Sequence, residues 1–430
     1  MRDIVVTLIV FGLLPVILRK PSYGIYAWSW ISYMNPNRLA YGFAYNFPFA
    51  YIVALTTLVS ALFSREPKRL PLTRETILLI LLLLWMVVTT LFALHQSLAW
   101  PQLEKVAKIQ LMVLFTLVLI DSREKINLLV WTIVLSLGFY GIKGGIFTIV
   151  HGGVYHVTGP TDSFIGGNNE LALALVMTIP LMRYLQLHEP RKWLRWSLGV
   201  GMLLTVSSAV GSQSRGALLA LAAMGLLLWL KSRNKLSTGI LVAAAIGLVV
   251  AIMPPEWYAR MDTIDAYQQD ESALGRINAW KMAINLANAR PIVGGGFETF
   301  QADTFAFYAP EPLNVHSSHS IYFQMLGEHG YVGLGLFLLL GMFAWRSASV
   351  VRQRVARDPE QKWLSDLMAM AQVGMAGFAV GGAFLGLAYF DLYYSLIAFI
   401  IIGKALAPAI PRRRPATAFR RKHSAPARPR

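Results

Sequence analysis

TILLILLLLWMVVTTLFAL, residues 76–94, runs for nineteen residues without a charge, and its reading decides the fold. At 1.5 Å per helical residue, such a run approaches the roughly 20 apolar residues needed to cross about 30 Å of hydrocarbon. Residues 236–253 repeat the pattern, and comparable runs recur along nearly the whole chain. The 430 residues are 56% hydrophobic and 14% charged, whereas soluble domains typically carry about 25% charged residues. These properties exclude a soluble domain and predict an all-α, polytopic membrane protein. No basic start and short apolar stretch leads through a small-residue cleavage site into soluble sequence, so the first apolar run is expected to be a retained helix.

The net charge of +17 raises nucleic acid as a partner, but its placement argues against one. The basic residues cluster between the apolar runs and in the tail, as cytoplasmic loops do. Residues 412–430 hold eight Lys or Arg and no acid, the composition of a tail lying on anionic membrane lipid. The chain has no cysteine, which excludes disulfides, thiolate catalysis and cysteine-held metal.

Basic clusters fall at 65–74, 123–125, 191–195, 231–235, 346–362 and the tail. If all six are cytoplasmic, each interval between them holds an even number of spans, and each fits two. The expected pairs are 76–94 with 105–120, 126–149 with 169–187, 196–214 with 216–230, 236–253 with 319–345, and 366–390 with 392–410. Before Arg65 there are three apolar stretches, 4–18, 23–34 and 47–63. Two crossings there give twelve spans with both ends inside, and three give thirteen with the N-terminus outside; the twelve-span reading is preferred. The resulting organisation is N-terminal membrane helices over 1–253, an outer loop with short helices over 254–318, C-terminal membrane helices over 319–410 and a basic cytoplasmic tail over 411–430. Within the loop, residues 273–289 are predicted to form an amphipathic helix with Ile277, Trp280 and Ile284 at helical spacing, followed by Gly294, Gly295 and Gly296. A loop this long is usually functional or disordered, and its aromatic and apolar content argues for function.

Several polar residues stand out against this background. Arg215 separates an uncharged run of 19 residues from one of 15 and is expected at the outer interface, where an arginine is costly unless it pairs, faces a cavity or snorkels. Its planar fork suits phosphate oxygens. Arg276 lies on the loop helix, with Arg260 and Arg290 in the same segment, so several cations could converge on one anion, against the positive-inside trend. His316 and His319 end the loop. Their spacing permits a metal pair, but no recognised carboxylate ligand accompanies them and no metal is expected. An imidazole there suits a general base near neutral pH, or serves simply as a polar anchor. Glu328, nine residues on, would lie on the opposite face of an unbroken helix and about 13 Å deeper, and is expected to hydrogen-bond another helix. Glu170 stands at an outer helix start, where Asn168 and Asn169 either cap the helix or reach a ligand.

The order Ser214-Arg215-Gly216, then Gly275-Arg276 with Trp280, then residues 291–300 (PIVGGGFETF), then residues 319–330 (HSIYFQMLGEHG) resembles the O-antigen ligase and polymerase superfamily. The match covers about residues 160–345 well and the flanking spans only as hydropathy. The resemblance implies a helical, GT-C-like glycosyltransferase of the bacterial inner membrane that uses no cofactor and no metal. It implies transfer of a glycan from undecaprenyl diphosphate to lipid A core oligosaccharide on the periplasmic face. The family's motif arginines fall on Arg215 and Arg276 and its catalytic histidine on His319. Arg290, Asn168, Asn169, His316 and Tyr322 are the expected neighbours of the substrate. The extra His316 and the triple glycine depart from the family pattern, and the aromatic N-terminal stretch is similar to a branch of O-glycosylation ligases. O-antigen polymerisation and protein O-glycosylation are therefore alternatives. A flippase for the same lipid would more naturally place charges within several spans, where Lys143 and Asp391 are the main candidates.

Overall fold

The computed structural model describes residues 1–66, 68–232, 234–252, 255 and 271–408; Arg260, Asp270 and the tail 412–430 lie outside the described residues. Within them there is no strand, and every expected span contains a helix. In chain order these are α1 (Arg2–Arg19), α2 (Ser22–Met34), α3 (Phe49–Phe63), α4 (Arg74–Leu91), α5 (Gln96–Leu119), α6 (Arg123–Val150), α7 (Asn168–His188), α8 (Lys192–Gly211), α9 (Arg215–Lys231) and α10 (Lys235–Ile252). The loop contributes α11 (Glu271–Ala289) and α12 (Ala302–Tyr308), and the chain closes with α13 (Ile321–Val355), α14 (Lys362–Gly381) and α15 (Asp391–Leu406). Six stretches among the described residues are long and apolar enough to cross a membrane by themselves, and the chain is a multi-pass membrane protein. Serine and threonine set several starts, because their hydroxyls accept from backbone amides that have no helical partner. Thr73 takes the amide of Thr76, Ser122 that of Lys125 and Ser214 that of Ala217.

α7 is the hub, with Leu171 to Leu181 buried without interruption. α6 and α8 pack closely against one another: a Cβ at Gly145 would lie 2.1 Å from the Leu204 carbonyl. Small residues that let backbones approach are a common means of holding helices together in lipid.

The basic clusters meet at one end of the bundle. Lys125 pairs with Glu66 at 3.5 Å, Arg123 lies over the Trp363 ring at 5.4 Å, His188 faces Asp366 at 3.2 Å and Lys231 donates to Gln372 at 2.6 Å. The three N-terminal helices alternate in direction. Asp3, at the start of α1, accepts from the amides of Gly42 and Ala44 between α2 and α3, while Ser60 near the end of α3 donates to Ile17 near the end of α1. α1 and α3 are therefore parallel and α2 returns between them, the arrangement of the thirteen-pass alternative.

Two expected helices depart from the reading. The 319–345 helix is broken at Gly330, which has φ 66°, so α13 consists of a nine-residue first leg and a long second leg. The helix expected over 366–390 stops at Gly381, and residues 382–390 form a 3-10 turn and a connecting loop. Both departures shape the end of the bundle opposite the basic clusters.

Candidate active site

At that opposite end α9 and α13 begin, α4 and α14 finish, and α11 lies alongside the first leg of α13. Arg215 is the first helical residue of α9. The turn before it is fixed from several directions: Gln213 is left-handed at φ 57°, and its side chain donates to the carbonyls of Gly153 and Val154 at 3.0 and 3.2 Å. Asn168 donates to the Ser212 carbonyl at 2.8 Å. Of the two readings open for Asn168 and Asn169, capping α7 is not the one observed. Gly167 is the N-cap residue, without a side-chain bond, and Asn168 spends its amide holding the turn that presents Arg215. Asn169 follows it in the first turn of α7, half-buried.

His319 immediately precedes the α13 N-cap Ser320 and is itself left-handed at φ 40°. The loop after α14 touches both neighbourhoods. A Cβ at Gly216 would lie 3.3 Å from Phe384 Cβ, and one at Gly386 would lie 3.9 Å from the His319 amide nitrogen. Phe384 and Gly386 are two residues apart, at most ~7 Å of chain. Arg215 and His319 therefore flank a single turn, each at a helix start, where backbone N–H groups favour anions.

α11 brings in the second arginine. Trp280 donates to the Ser318 carbonyl at 2.8 Å and stacks on Phe323 with ring centroids 4.9 Å apart. Asn278 donates to the carbonyls of Glu311 and Asn314 and accepts from the Glu311 amide. These contacts clamp the segment leading to His319 along α11. Gly275 is required by the clamp, because a Cβ there would lie 2.4 Å from the His316 ring. Burial, then the Arg276 guanidinium and His316, hold the His319 imidazole below the usual histidine value of 6.5. That places Arg276 and His316 within electrostatic reach of His319 and keeps the imidazole neutral at neutral pH. Among the described residues, no group of three His, Asp or Glu side chains forms a metal-ligand set.

The structure separates two other expected residues from this group. Arg290 lies fourteen residues after Arg276, about 21 Å along α11, and donates to the Phe92 carbonyl at the end of α4. It anchors the far end of the loop helix and does not join the cluster. Tyr322 donates to the Ala379 carbonyl at 2.8 Å, tying α13 to α14. The triple glycine is structural. Gly295 and Gly296 donate to the carbonyls of Gly327 and Glu328 at 2.8 Å, satisfying the end of the broken first leg, and a Cβ at Gly294 would lie 2.6 Å from the Gly327 oxygen.

At the other end of the first leg of α13 lies a polar network that the sequence only half disclosed. Glu328 is buried, accepts from the Glu298 amide at 3.2 Å and takes a short hydrogen bond from the Tyr389 hydroxyl. That hydroxyl lies 2.8 Å from His329 Nε2, and His329 Nδ1 lies 2.7 Å from Thr89 Oγ1. Phe297 closes the group with its ring 4.7 Å from that of His329. The expectation that Glu328 hydrogen-bonds another helix is corrected, because Glu298 and Tyr389 both lie in turns outside the helices. His329 and Tyr389 were not singled out. Their signal was polarity within apolar surroundings, as for Glu328.

Residues 200–338 match the O-antigen ligase family model, a span that contains Arg215, Arg276, His316, His319 and the Glu328–His329 pair. Residues 1–190 match a family of unknown function. The exopolysaccharide production protein ExoQ of Rhizobium meliloti (strain 1021) is 24% identical over 288 residues, covering 62% of this chain and 63% of its own length.

Proposed function

We propose, for a chain that belongs to the O-antigen ligase and polymerase family, that it transfers a glycan from undecaprenyl diphosphate to a hydroxyl of lipid A core oligosaccharide at the periplasmic face of the bacterial inner membrane. One observation carries this reading: α11 is clamped along the segment that ends at His319, with Trp280 bonded to Ser318 and Gly275 against the His316 ring, which brings in Arg276, while Arg215 flanks the same turn as His319 from another helix. Two guanidinium groups beside a neutral imidazole suit a diphosphate leaving group and an attacking hydroxyl.

In the reaction, the acceptor oxygen bonds to the anomeric carbon as that carbon's bond to the diphosphate oxygen breaks. The hydroxyl proton passes to His319, and the electron pair of the broken bond leaves with undecaprenyl diphosphate. Direct displacement inverts the anomeric centre. Arg215 and Arg276 neutralise charge that grows on the diphosphate, and loss of one such donor typically costs about 2.7 to 4 kcal/mol. No metal is required, because the cations are supplied by the chain, and no general acid is required, because diphosphate leaves readily. The periplasmic assignment rests on the positive-inside trend, since the basic clusters gather at the end opposite the site.

The similarity to an exopolysaccharide production protein favours a second reading, polymerisation, in which another lipid-linked glycan is the acceptor. Purified protein given lipid-linked glycan with either lipid A core or a second lipid-linked glycan distinguishes the two by product. Arg215→Lys in the same assay is expected to lose most of the transfer, because it keeps charge but loses the bidentate fork. Transport of the donor across vesicles without any product would overturn both readings.

A further inference from the structure

We infer that the basic end of the bundle carries a binding site for the headgroup phosphate of an anionic membrane phospholipid. A cavity of about 180 Å³ opens there between the start of α4, the last turns of α13 and the end of α15, and Arg74, Arg346, Arg354 and Lys404 line it around a single carboxylate, Glu75. The floor is built. Glu75 is 1% exposed, Lys404 donates to it at 3.0 Å and to Ser347 at 3.1 Å, and the Ser347 hydroxyl donates to Glu75. A buried carboxylate needs such full partnership, so Lys404 is committed to the floor.

The three arginines are not so committed. All are exposed, and among the described residues none makes a hydrogen bond or ion pair with a protein group. Arg346 and Arg354 are eight residues apart on α13, about 12 Å along the axis, and Arg74 reaches the cavity from α4. Like charges gathered around one pocket repel unless an anion joins them, and guanidinium groups match phosphate oxygens in geometry as well as charge.

The surroundings favour a lipid over free phosphate. Leu339, Met342 and Val350 are 39%, 55% and 45% exposed, and with Arg346 they follow one another at helical spacing along one face of α13. Phe343 and Val350 also line the cavity. Cations at the end of an uncovered apolar stripe offer a phosphate site and an acyl-chain track together, and basic pockets between membrane helices are known to take anionic headgroups. The inference is independent of the catalytic reading.

The test uses the full chain in mixed detergent and lipid, comparing retention of phosphatidylglycerol with phosphatidylcholine, and the thermal shift each produces. Wild type should retain and be stabilised by phosphatidylglycerol in preference. Each of Arg74→Gln, Arg346→Gln and Arg354→Gln should weaken that preference by about fivefold, the fold-change corresponding to about 1 kcal/mol per cation near an anionic surface. The single control variants Arg19→Gln, Lys20→Gln and Lys192→Gln, each of which removes the same one charge at the same end, should keep it. The inference is overturned if wild type shows no preference, if the control loses as much as the pocket variants, or if inorganic phosphate reproduces the wild-type stabilisation.

Discussion

His319 holds a backbone conformation, φ 40°, that costs a non-glycine residue roughly 1–2 kcal/mol. His319→Gly should therefore be more stable than His319→Ala by about 1 kcal/mol, measured as a thermal shift. An Ala variant as stable as the Gly variant would show that the strain is absent. The depressed pKa of the imidazole gives a second prediction. His319 acts as a base only when neutral, so the acid limb of the pH–rate profile should fall below the usual 6.5. The unfolded chain takes up this proton first, so His319 also withdraws stability as the pH falls through 6.5 toward its folded value. Arg276→Gln removes one cause of the depression and leaves burial, the largest. The limb of its residual transfer should move upward, and an unmoved limb would separate Arg276 from His319. The residue types at this site were legible from sequence, because an arginine between apolar runs and histidines ending a long loop are anomalies in a membrane chain. What remained hidden was that Arg290, just past the end of α11, bonds the Phe92 carbonyl instead of joining Arg276, because its partner lies 198 residues away in sequence.

The break in α13 was not legible at the scale of the element. Gly330 sits in an apolar run where glycine is common in membrane helices, and only its positive φ reveals the bend. The break stops Glu328 and His329 from continuing a straight span and turns them into the 297–298 and 389 loops. A Cβ at Gly330 would lie 2.6 Å from the Ile292 carbonyl oxygen, so this glycine admits the Gly294–Gly296 loop as well as the turn. The network predicts that Tyr389→Phe, which removes the donor to Glu328 and the neighbour of His329 Nε2, should destabilise the protein by about 1–3 kcal/mol. Thermal unfolding in detergent checks this, and an unchanged midpoint would mean the network does not stabilise the fold.

For the whole molecule, hydropathy and basic clusters conveyed most of the architecture, because lipid forces backbone polar groups into helices and charge placement follows membrane side. The direction of the N-terminal helices was hidden, because α2 is a short aromatic segment of 13 residues and its passage depends on packing between α1 and α3. The chain lacks cysteine, so single introduced cysteines report topology cleanly. Leu313→Cys, at a position 98% exposed, should react with a membrane-impermeant reagent in cells whose inner membrane is intact, and Lys235→Cys only after permeabilisation. The reverse pattern would invert the orientation and place the site in the cytoplasm.

Transfer and donor binding, measured side by side on purified wild type and His319→Ala, test the central claim most directly. If His319 is the base and the arginines hold the diphosphate, the variant should lose about two to four orders of magnitude in transfer while binding undecaprenyl-diphosphate glycan nearly as well, and His316→Ala should lose much less. Transfer by a well-folded His319→Ala protein at close to the wild-type rate would contradict the account.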